Sequence, residues 1–251
     1  MSSIQGKTVA ITGAASGIGQ AIARRFIADG ATVVGSDLHE QGMKEVEGMM
    51  RIEGDVTNPD DVKALVDLAV DKTGRLDVMI NNAGIGYSSP VATTDVDTFA
   101  LLHRVHVLGC MHGMRYALPV MQEQGSGHVI NVVSRIAEVA APGMSAYASA
   151  KAAMWALTRI AAAEVKDDGI LVNMMFPGTS NTGMTAGGAL GDPSKLGAPD
   201  QQYDTFLMLA TLEPGSTVGQ VWFDKRIYPM FSDANDLGDV AEHLDEGASK
   251  R

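Results

Sequence analysis

The stretch "KTVAITGAASGIGQAIARRF", residues 7–26, is the most informative part of the sequence about the fold. Its first residues are apolar and β-branched, which predicts a buried strand, and the apolar residues from Ile18 to Phe26 then recur at helical spacing. The turn between them holds Gly13, Gly17 and Gly19. Such a turn lets backbone approach a pyrophosphate, and the helix N-terminus adds free N–H groups and a positive dipole. A tight turn that packs the helix against the strand is the alternative interpretation.

An apolar strand followed by an amphipathic helix is a pattern that repeats along the chain. The further predicted strands are "ATVVGSD", "RIEGDV", "RLDVMINNAG", "GHVINVVS" and "GILVNMMFPG". This alternation predicts a parallel sheet covered by helices on both faces, which is a three-layer α/β/α arrangement. The composition shows no linker before about residue 232, so we expect one domain over residues 1–231.

Composition and charge argue against several classes of protein. The 251 residues are 45% hydrophobic and 20% charged, as in ordinary globular domains. A net charge of −11 and a pI near 4.9 disfavour nucleic acid and anionic membranes as partners. No apolar run reaches the roughly 18 residues of a membrane span, and the N-terminus passes straight into the first strand without a signal-peptide pattern. With Cys110 as the single cysteine and no Cys/His cluster, we expect no disulfide, no metal and a cytoplasmic location.

Asp37 ends the second predicted strand, where a carboxylate can accept hydrogen bonds from an adenosine ribose. Its charge would repel the 2′-phosphate of NADP, and neither the glycine turn nor Leu38 offers a cation to offset it. If a dinucleotide binds, the expectation is NAD. The alternative role for Asp37 is a cap for the helix that follows.

The segment "SAYASAK", residues 145–151, places Tyr147 and Lys151 four residues apart. On a helix this spacing puts them one above the other on a single face, among small neighbours that leave room for a ligand. Alone, the pair also fits an ordinary amphipathic helix face.

Taken together, these motifs resemble the short-chain dehydrogenase/reductase family. "TGAASGIG", "NNAG" at 81–84, Ser134, "YASAK" and "PGTSNT" at 177–182 occur in that family's order and spacing. The resemblance covers residues 5–183 closely and 199–225 loosely, with "GQVWFDKR" in the place of the last strand. It implies a Rossmann-like, doubly wound sheet of about seven strands. It also implies an NAD-dependent oxidoreductase that interconverts a secondary alcohol and a ketone, as a homo-oligomer (tetramer or dimer).

The same resemblance implies roles for the catalytic residues. Tyr147 would be the general acid–base, Ser134 would hydrogen-bond the reacting oxygen, and Lys151 would hold the nicotinamide ribose. A free phenol has a pKa of about 10, and a cation at about 4 Å would favour the phenolate by roughly 4 kcal/mol at an effective dielectric near 20. We therefore expect Lys151 to bring the pKa of Tyr147 near 7.

The cofactor-binding residues implied by the resemblance are spread along the sequence from Gly13 to Thr182. Asp55 and Val56 would contact the adenine, whereas Asn81 would tie neighbouring strands together. The full set of cofactor-binding residues comprises Gly13, Ser16, Gly17, Ile18, Gly19, Asp37, Leu38, Asp55, Val56, Asn82, Ala83, Gly84, Tyr147, Lys151, Pro177, Gly178, Ser180 and Thr182.

The sequence departs from the family at His106, in "RVHVLGC", where the family has an asparagine that bends the helix and holds a relay water. Histidine can hold a water and can carry a proton near neutral pH, but a charged imidazole would repel Lys151. Three interpretations stay open: a working relay, a contact with substrate or altered chemistry, and weakened catalysis. Because of His106, a redox-neutral lyase or isomerase and a non-catalytic NAD-binding sensor remain alternatives.

The substrate side is less determined. Residues 183–198 are rich in glycine and resemble a lid over the site. Arg135, directly after Ser134, would hold a substrate carboxylate or phosphate, or else form a salt bridge elsewhere. The acidic C-terminal tail, residues 232–251, would form a short amphipathic helix that docks on a neighbouring subunit, or an acidic, partly disordered end.

Overall fold

The computed structural model of the chain describes residues 3–178 and 197–231. Ser180 and Thr182, most of the predicted segment 183–198 and the tail 232–251 lie outside the described residues.

Within these ranges, eight strands form one sheet, in the order β3-β2-β1-β4-β5-β6-β7-β8. All neighbouring strands are parallel except β7 and β8. The chain therefore builds outward from β1 and then reverses at β4, which confirms the doubly wound parallel sheet. The strands are β1 (Thr8–Thr12), β2 (Thr32–Asp37), β3 (Met50–Glu53), β4 (Val78–Asn81), β5 (Gly127–Val132), β6 (Ile170–Met175), β7 (Val221–Phe223) and β8 (Arg226–Tyr228).

The eighth strand is the difference from the expected seven. It arises because Asp224 and Lys225 both adopt left-handed backbone, with φ of 48° and 59°, and so close a two-residue hairpin. Their N–H groups donate to side chains of the preceding helix, Gln202 and Thr205. No glycine or asparagine marks this turn, so the sequence carried no hairpin signal.

Helices cover both faces of the sheet and confirm the three-layer arrangement. Along β1, Val9 and Ile11 face a core with α1 and α7, which includes Phe26 and Phe206. Ala10 faces the opposite core, formed with α3, α5 and α6. The helices are α1 (Gly17–Ala28), α2 (Glu40–Lys44), α3 (Pro59–Thr73), α4 (Val96–His103), α5 (Gly109–Gln124), α6 (Ser145–Glu164) and α7 (Tyr203–Ala210).

One turn of π-helix, Arg104–Leu108, joins α4 to α5 without a break in the backbone direction. Such turns frequently lie at functional sites, and this one carries His106. The carboxyl ends of the parallel strands meet at one edge of the sheet, which in folds of this kind is where ligands bind.

Candidate active site

Two glycines of the turn after β1, Gly13 and Gly19, have no room for a Cβ atom. Gly13 and Gly17 have φ of +70° and +53°, where glycine is strongly preferred. A Cβ on Gly19 would lie 2.1 Å from the carbonyl oxygen of Gly13. Asn82 Nδ2 donates to the carbonyl oxygens of Thr12 and Gly13, at 3.0 and 3.2 Å, and so fixes the turn from β4.

The start of α1 is open toward this turn. Ser16 is the N-cap, is exposed, and makes no capping hydrogen bond through its side chain. The first N–H groups of the helix, with Ile18 half-buried beside them, are therefore available to an anion.

Asp37 lies at the carboxyl end of β2, half-buried, beside the glycine turn. Its Oδ2 accepts a hydrogen bond from the Ala15 N–H at 2.9 Å. The helix that follows has His39 as its N-cap, so the alternative role of Asp37 as that cap is wrong. Leu38 is 52% exposed next to it. A glycine cradle without room for Cβ atoms, an uncapped helix N-terminus and this carboxylate fit the pyrophosphate and adenosine ribose of a dinucleotide.

The segment after β3 is held in place by its own hydrogen bonds. The Asp55 N–H donates to Asp61 Oδ2 at 2.9 Å, and Asp55 Oδ1 accepts from the Thr57 N–H at 2.8 Å. Val56 is half-buried in this segment and faces α5.

Asn81 ties strands together, as expected. Its Nδ2 donates to Asn131 Oδ1 on β5 at 2.8 Å, and Asn131 in turn donates to Thr158 of α6. The residues after it form the edge of the site: Ala83 donates its N–H to Thr12 Oγ1, and Gly84 lies against the ring of His106.

Ser134, Tyr147 and Lys151 come together at the carboxyl end of β5. Ser134 Oγ accepts from the Ile136 N–H at 3.3 Å and makes a side-chain hydrogen bond with Tyr147. Lys151 is 3% exposed, donates from Nζ to the Val132 carbonyl oxygen at 2.7 Å, and lies 5.6 Å from the centroid of the Tyr147 ring. The structure thus assembles the three side chains that the sequence motifs single out.

The expectation that Lys151 brings the pKa of Tyr147 near 7 is wrong. Burial raises the pKa of the Tyr147 phenol to about 12, and the hydrogen bond with Ser134 only partly opposes this. The ammonium of Lys151 lies over the ring and is directed at Val132, and burial lowers its own pKa to about 8. At neutral pH the phenol is therefore neutral, and most of Lys151 is protonated.

His106 is 1% exposed, and its ring meets Tyr147 edge to face at a centroid distance of 5.2 Å. Nε2 lies 2.8 Å from the Ile85 carbonyl oxygen and 3.3 Å from the Ile85 nitrogen, while Nδ1 has no partner among the described residues. The shorter contact favours the tautomer in which Nε2–H donates. Burial, aided by the charge of Lys151, lowers the pKa of His106 to about 3. The expectation that this histidine carries a proton near neutral pH is therefore wrong.

The loop after β6 is held at its start by a hydrogen bond from Gln201. Gln201 Nε2 donates to the Pro177 carbonyl oxygen at 2.8 Å, and Gly178 has φ of +71°. Ser180 and Thr182, the next predicted contacts, fall outside the described part of the chain.

Arg135 packs against the β7–β8 hairpin. Its guanidinium carbon lies 5.8 Å from the centroid of the Tyr228 ring, and Tyr228 donates its hydroxyl to Glu138. Within the described ranges Arg135 forms no ion pair, and its Nε is buried without a partner. The salt bridge that we considered is therefore not found there, and the anion-holding role stays a prediction.

Sequence reasoning missed the main-chain groups of the site. The carbonyl oxygens of Val132 and Ile85 orient Lys151 and His106, and the Ala15 N–H orients Asp37. Main-chain groups leave no residue-type signal, so only the fold reveals them.

The chain is similar to known proteins over most of its length. The family model for short-chain dehydrogenases matches residues 7–189. The 2-(R)-hydroxypropyl-CoM dehydrogenase of Xanthobacter autotrophicus is 37% identical over 187 residues, covering 70% of this chain and 75% of the relative. The 3beta-hydroxysteroid dehydrogenase 2 of Eggerthella lenta is 36% identical over 204 residues, covering 77% of this chain and 78% of the relative.

A solved structure shares the architecture. The 3-ketoacyl-(acyl-carrier-protein) reductase from Brucella melitensis, complexed with NADH, superposes with a TM-score of 0.79 at 27% identity, covering 87% of this chain and 96% of that one. The chain belongs to the short-chain dehydrogenase/reductase family, whose members are oxidoreductases that bind a nicotinamide dinucleotide. In the described ranges, none of the helices has the length and apolar character to cross a membrane.

Proposed function

We propose that the protein is an NAD-dependent oxidoreductase that interconverts a secondary alcohol and a ketone, with Tyr147 as the general acid–base. The convergence of Ser134, Tyr147 and Lys151 at the sheet edge that also carries the glycine turn is the observation that supports this most. The names of two relatives, a 2-hydroxypropyl and a 3β-hydroxysteroid dehydrogenase, denote secondary alcohols as substrates of those proteins.

Each polar side chain has a role in the proposed reaction. Tyr147 takes the hydroxyl proton of the alcohol, or returns it to the ketone, while Ser134 donates a hydrogen bond to the same oxygen. Lys151, with a pKa of about 8, supplies positive charge next to the phenol and holds the nicotinamide ribose. Oxidised NAD, when bound, supplies the hydride acceptor and a positive ring.

The raised pKa of Tyr147 predicts how the rates of alcohol oxidation and ketone reduction depend on pH. Because the phenol is neutral at pH 7, it is ready to donate a proton in ketone reduction. Alcohol oxidation needs the phenolate, whose fraction grows about tenfold per pH unit below the pKa. We expect oxidation to accelerate as the pH rises above neutral and reduction to change little, which initial rates measured in both directions would check.

His106 is proposed to serve the relay as a neutral group. With Nε2–H donating to Ile85, the buried Nδ1 is a lone-pair acceptor without a partner among the described residues, and we propose that the relay water binds there. This water would link Tyr147 and Lys151 to solvent without any charge on the imidazole. We expect His106→Asn to retain most turnover and His106→Leu to lose it. Equal rates for both variants would contradict the relay role.

Preference for NAD over NADP is proposed from Asp37. Its carboxylate lies where the ribose hydroxyls of NAD would bind, and its negative charge opposes a 2′-phosphate. Asp37→Asn keeps an acceptor for the Ala15 N–H but removes the charge. We expect this variant to bind NADP more tightly and NAD more weakly than the wild type, measured by calorimetry. An unchanged ratio of the two affinities would contradict the argument.

Turnover of Tyr147→Phe tests the function itself. The variant should bind NAD but form no reduced nicotinamide from any secondary alcohol. Turnover retained in this variant would remove Tyr147 from the mechanism. Turnover of wild type without net cofactor reduction would favour a redox-neutral lyase or isomerase, and NAD binding without any turnover would favour a sensor. A cytoplasmic homo-oligomer is also proposed, and sedimentation of the purified protein would check the oligomer.

A further inference from the structure

Helix α5 holds the segment predicted to contact the adenine. His112 Nδ1 lies 2.9 Å from the Val56 carbonyl oxygen, so the tautomer protonated at Nδ1 donates a hydrogen bond to that carbonyl. One turn earlier on the same helix, Gly109 lies against the Val56 side chain. A Cβ on Gly109 would come within 2.9 Å of Val56 Cγ2 and 3.0 Å of its Cβ, so α5 and Val56 are already in contact.

In the described part of the chain, the other hydrogen bonds of this segment run to β2, to α3 and within the segment itself. Asp61 and Thr57 hold Asp55, and the Asn58 N–H donates to the Asp55 carbonyl oxygen. His112 therefore supplies the hydrogen bond that connects this segment to the helix following the π-turn. Both His112 and Val56 are half-buried, so the contact lies at the boundary between the protein and the cofactor site.

We propose that His112 is a positioning residue for the adenine half of NAD, acting through Val56. This inference rests on the proposed function, because it assumes that Asp55 and Val56 contact the adenine. Without the imidazole donor, the Val56 carbonyl loses its partner and the segment loses its fixed distance from α5. The adenine pocket then has to be ordered by the cofactor itself, which weakens binding.

Two substitutions at His112 separate the hydrogen bond from the ring. His112→Phe keeps a ring of similar size and removes the donor, whereas His112→Asn retains an N–H near the position of Nδ1. Calorimetric titration with AMP, which probes the adenine half alone, and with NAD should show about five- to tenfold weaker binding for His112→Phe. His112→Asn should bind within about twofold of wild type. In turnover, the loss should appear in KM for NAD rather than in kcat.

Gly109→Ala perturbs the same segment through a different contact, the one between Gly109 and the Val56 side chain. Its methyl group would push Val56 away from α5, although alanine has the higher helix propensity. We expect weaker AMP binding at a temperature at which circular dichroism shows the variant to be fully folded, a combination that a general loss of structure does not give. Wild-type AMP affinity in both His112→Phe and Gly109→Ala would overturn the inference. A wild-type protein that binds neither AMP nor NAD would overturn both the proposed function and this inference. A wild type that binds both, with variants of unchanged affinity, would overturn this inference alone.

Discussion

Replacing Lys151 by methionine should stabilise the fold while abolishing turnover. Lys151 is 3% exposed, and burial lowers its pKa from 10.5 to about 8. A shift of that size corresponds to about 3 kcal/mol of unfavourable free energy for keeping the ammonium buried at pH 7. Methionine fills a similar volume without charge, but leaves the Val132 carbonyl oxygen without its donor, which costs about 1–3 kcal/mol. We therefore expect a net gain of about 1 kcal/mol in the free energy of unfolding.

The difference in stability between wild type and Lys151→Met should depend on pH. The pKa of Lys151 is lower in the folded than in the unfolded chain, so the unfolded chain binds more protons between about pH 8 and 10.5. Wild-type stability therefore gains a rising contribution over this interval, and Lys151→Met lacks it. The advantage of the variant should be largest at pH 7 and should become a disadvantage of about 1 kcal/mol at pH 10, where the buried ammonium costs the wild type only about 1 kcal/mol.

Urea unfolding of both proteins at pH 7 and pH 10, followed by circular dichroism, measures the difference. Lys166→Met is the matched control, because Lys166 is exposed and its replacement should change stability by less than about 0.5 kcal/mol. A Lys151→Met variant that is less stable than wild type by more than about 1 kcal/mol at pH 7 would refute the reasoning. So would a difference between the two proteins that does not depend on pH.

Three further predictions concern the glycine contacts and acid stability. Gly19→Ala should weaken NAD binding by at least about tenfold, because its Cβ would lie 2.1 Å from the Gly13 carbonyl oxygen; calorimetry would check this, and wild-type affinity would contradict it. Gly113→Ala should lower the free energy of unfolding by about 3 kcal/mol, because its Cβ would lie 1.8 Å from Asn81 Oδ1. Urea unfolding would measure this, and a free energy of unfolding equal to that of the wild type would contradict it. Burial lowers the pKa of His128 to about 4, so stability should fall by about 3 kcal/mol as the pH drops from about 6.5 to 4, and His128→Gln should reduce this acid sensitivity in pH-dependent unfolding.

Much of the fold and the site could be predicted from residue types at strand ends. Apolar strands alternating with amphipathic helices predict a parallel sheet, and the glycine turn, Asp37 and Ser134 all lie within two residues of the carboxyl end of a strand. Since parallel strands share one carboxyl edge, these residues had to meet there. Helical spacing puts Tyr147 and Lys151 on one face of α6, and the resemblance to the family was needed to single them out as a catalytic pair.

What could not be predicted depends on burial and on main-chain atoms. The pKa of Tyr147 rises because the phenol is desolvated, and no spacing rule reports how much water reaches a side chain. His106 lies on a π-turn that buries it completely, which converts an expected proton carrier into a neutral group. The β7–β8 hairpin rests on left-handed Asp224 and Lys225, and the turn lacks the glycine or asparagine that usually marks such a hairpin.

Transfer of deuterium from substrate to cofactor would show directly whether the protein oxidises a secondary alcohol with NAD and whether Tyr147 is required. The wild-type protein would be incubated with NAD and a secondary alcohol deuterated at the carbinol carbon, with Tyr147→Phe as the control. We expect one deuterium in the reduced nicotinamide for wild type, detected by mass spectrometry, and none above background for the variant. Alcohol consumed without deuterium reaching the nicotinamide, or equal transfer in Tyr147→Phe, would contradict it.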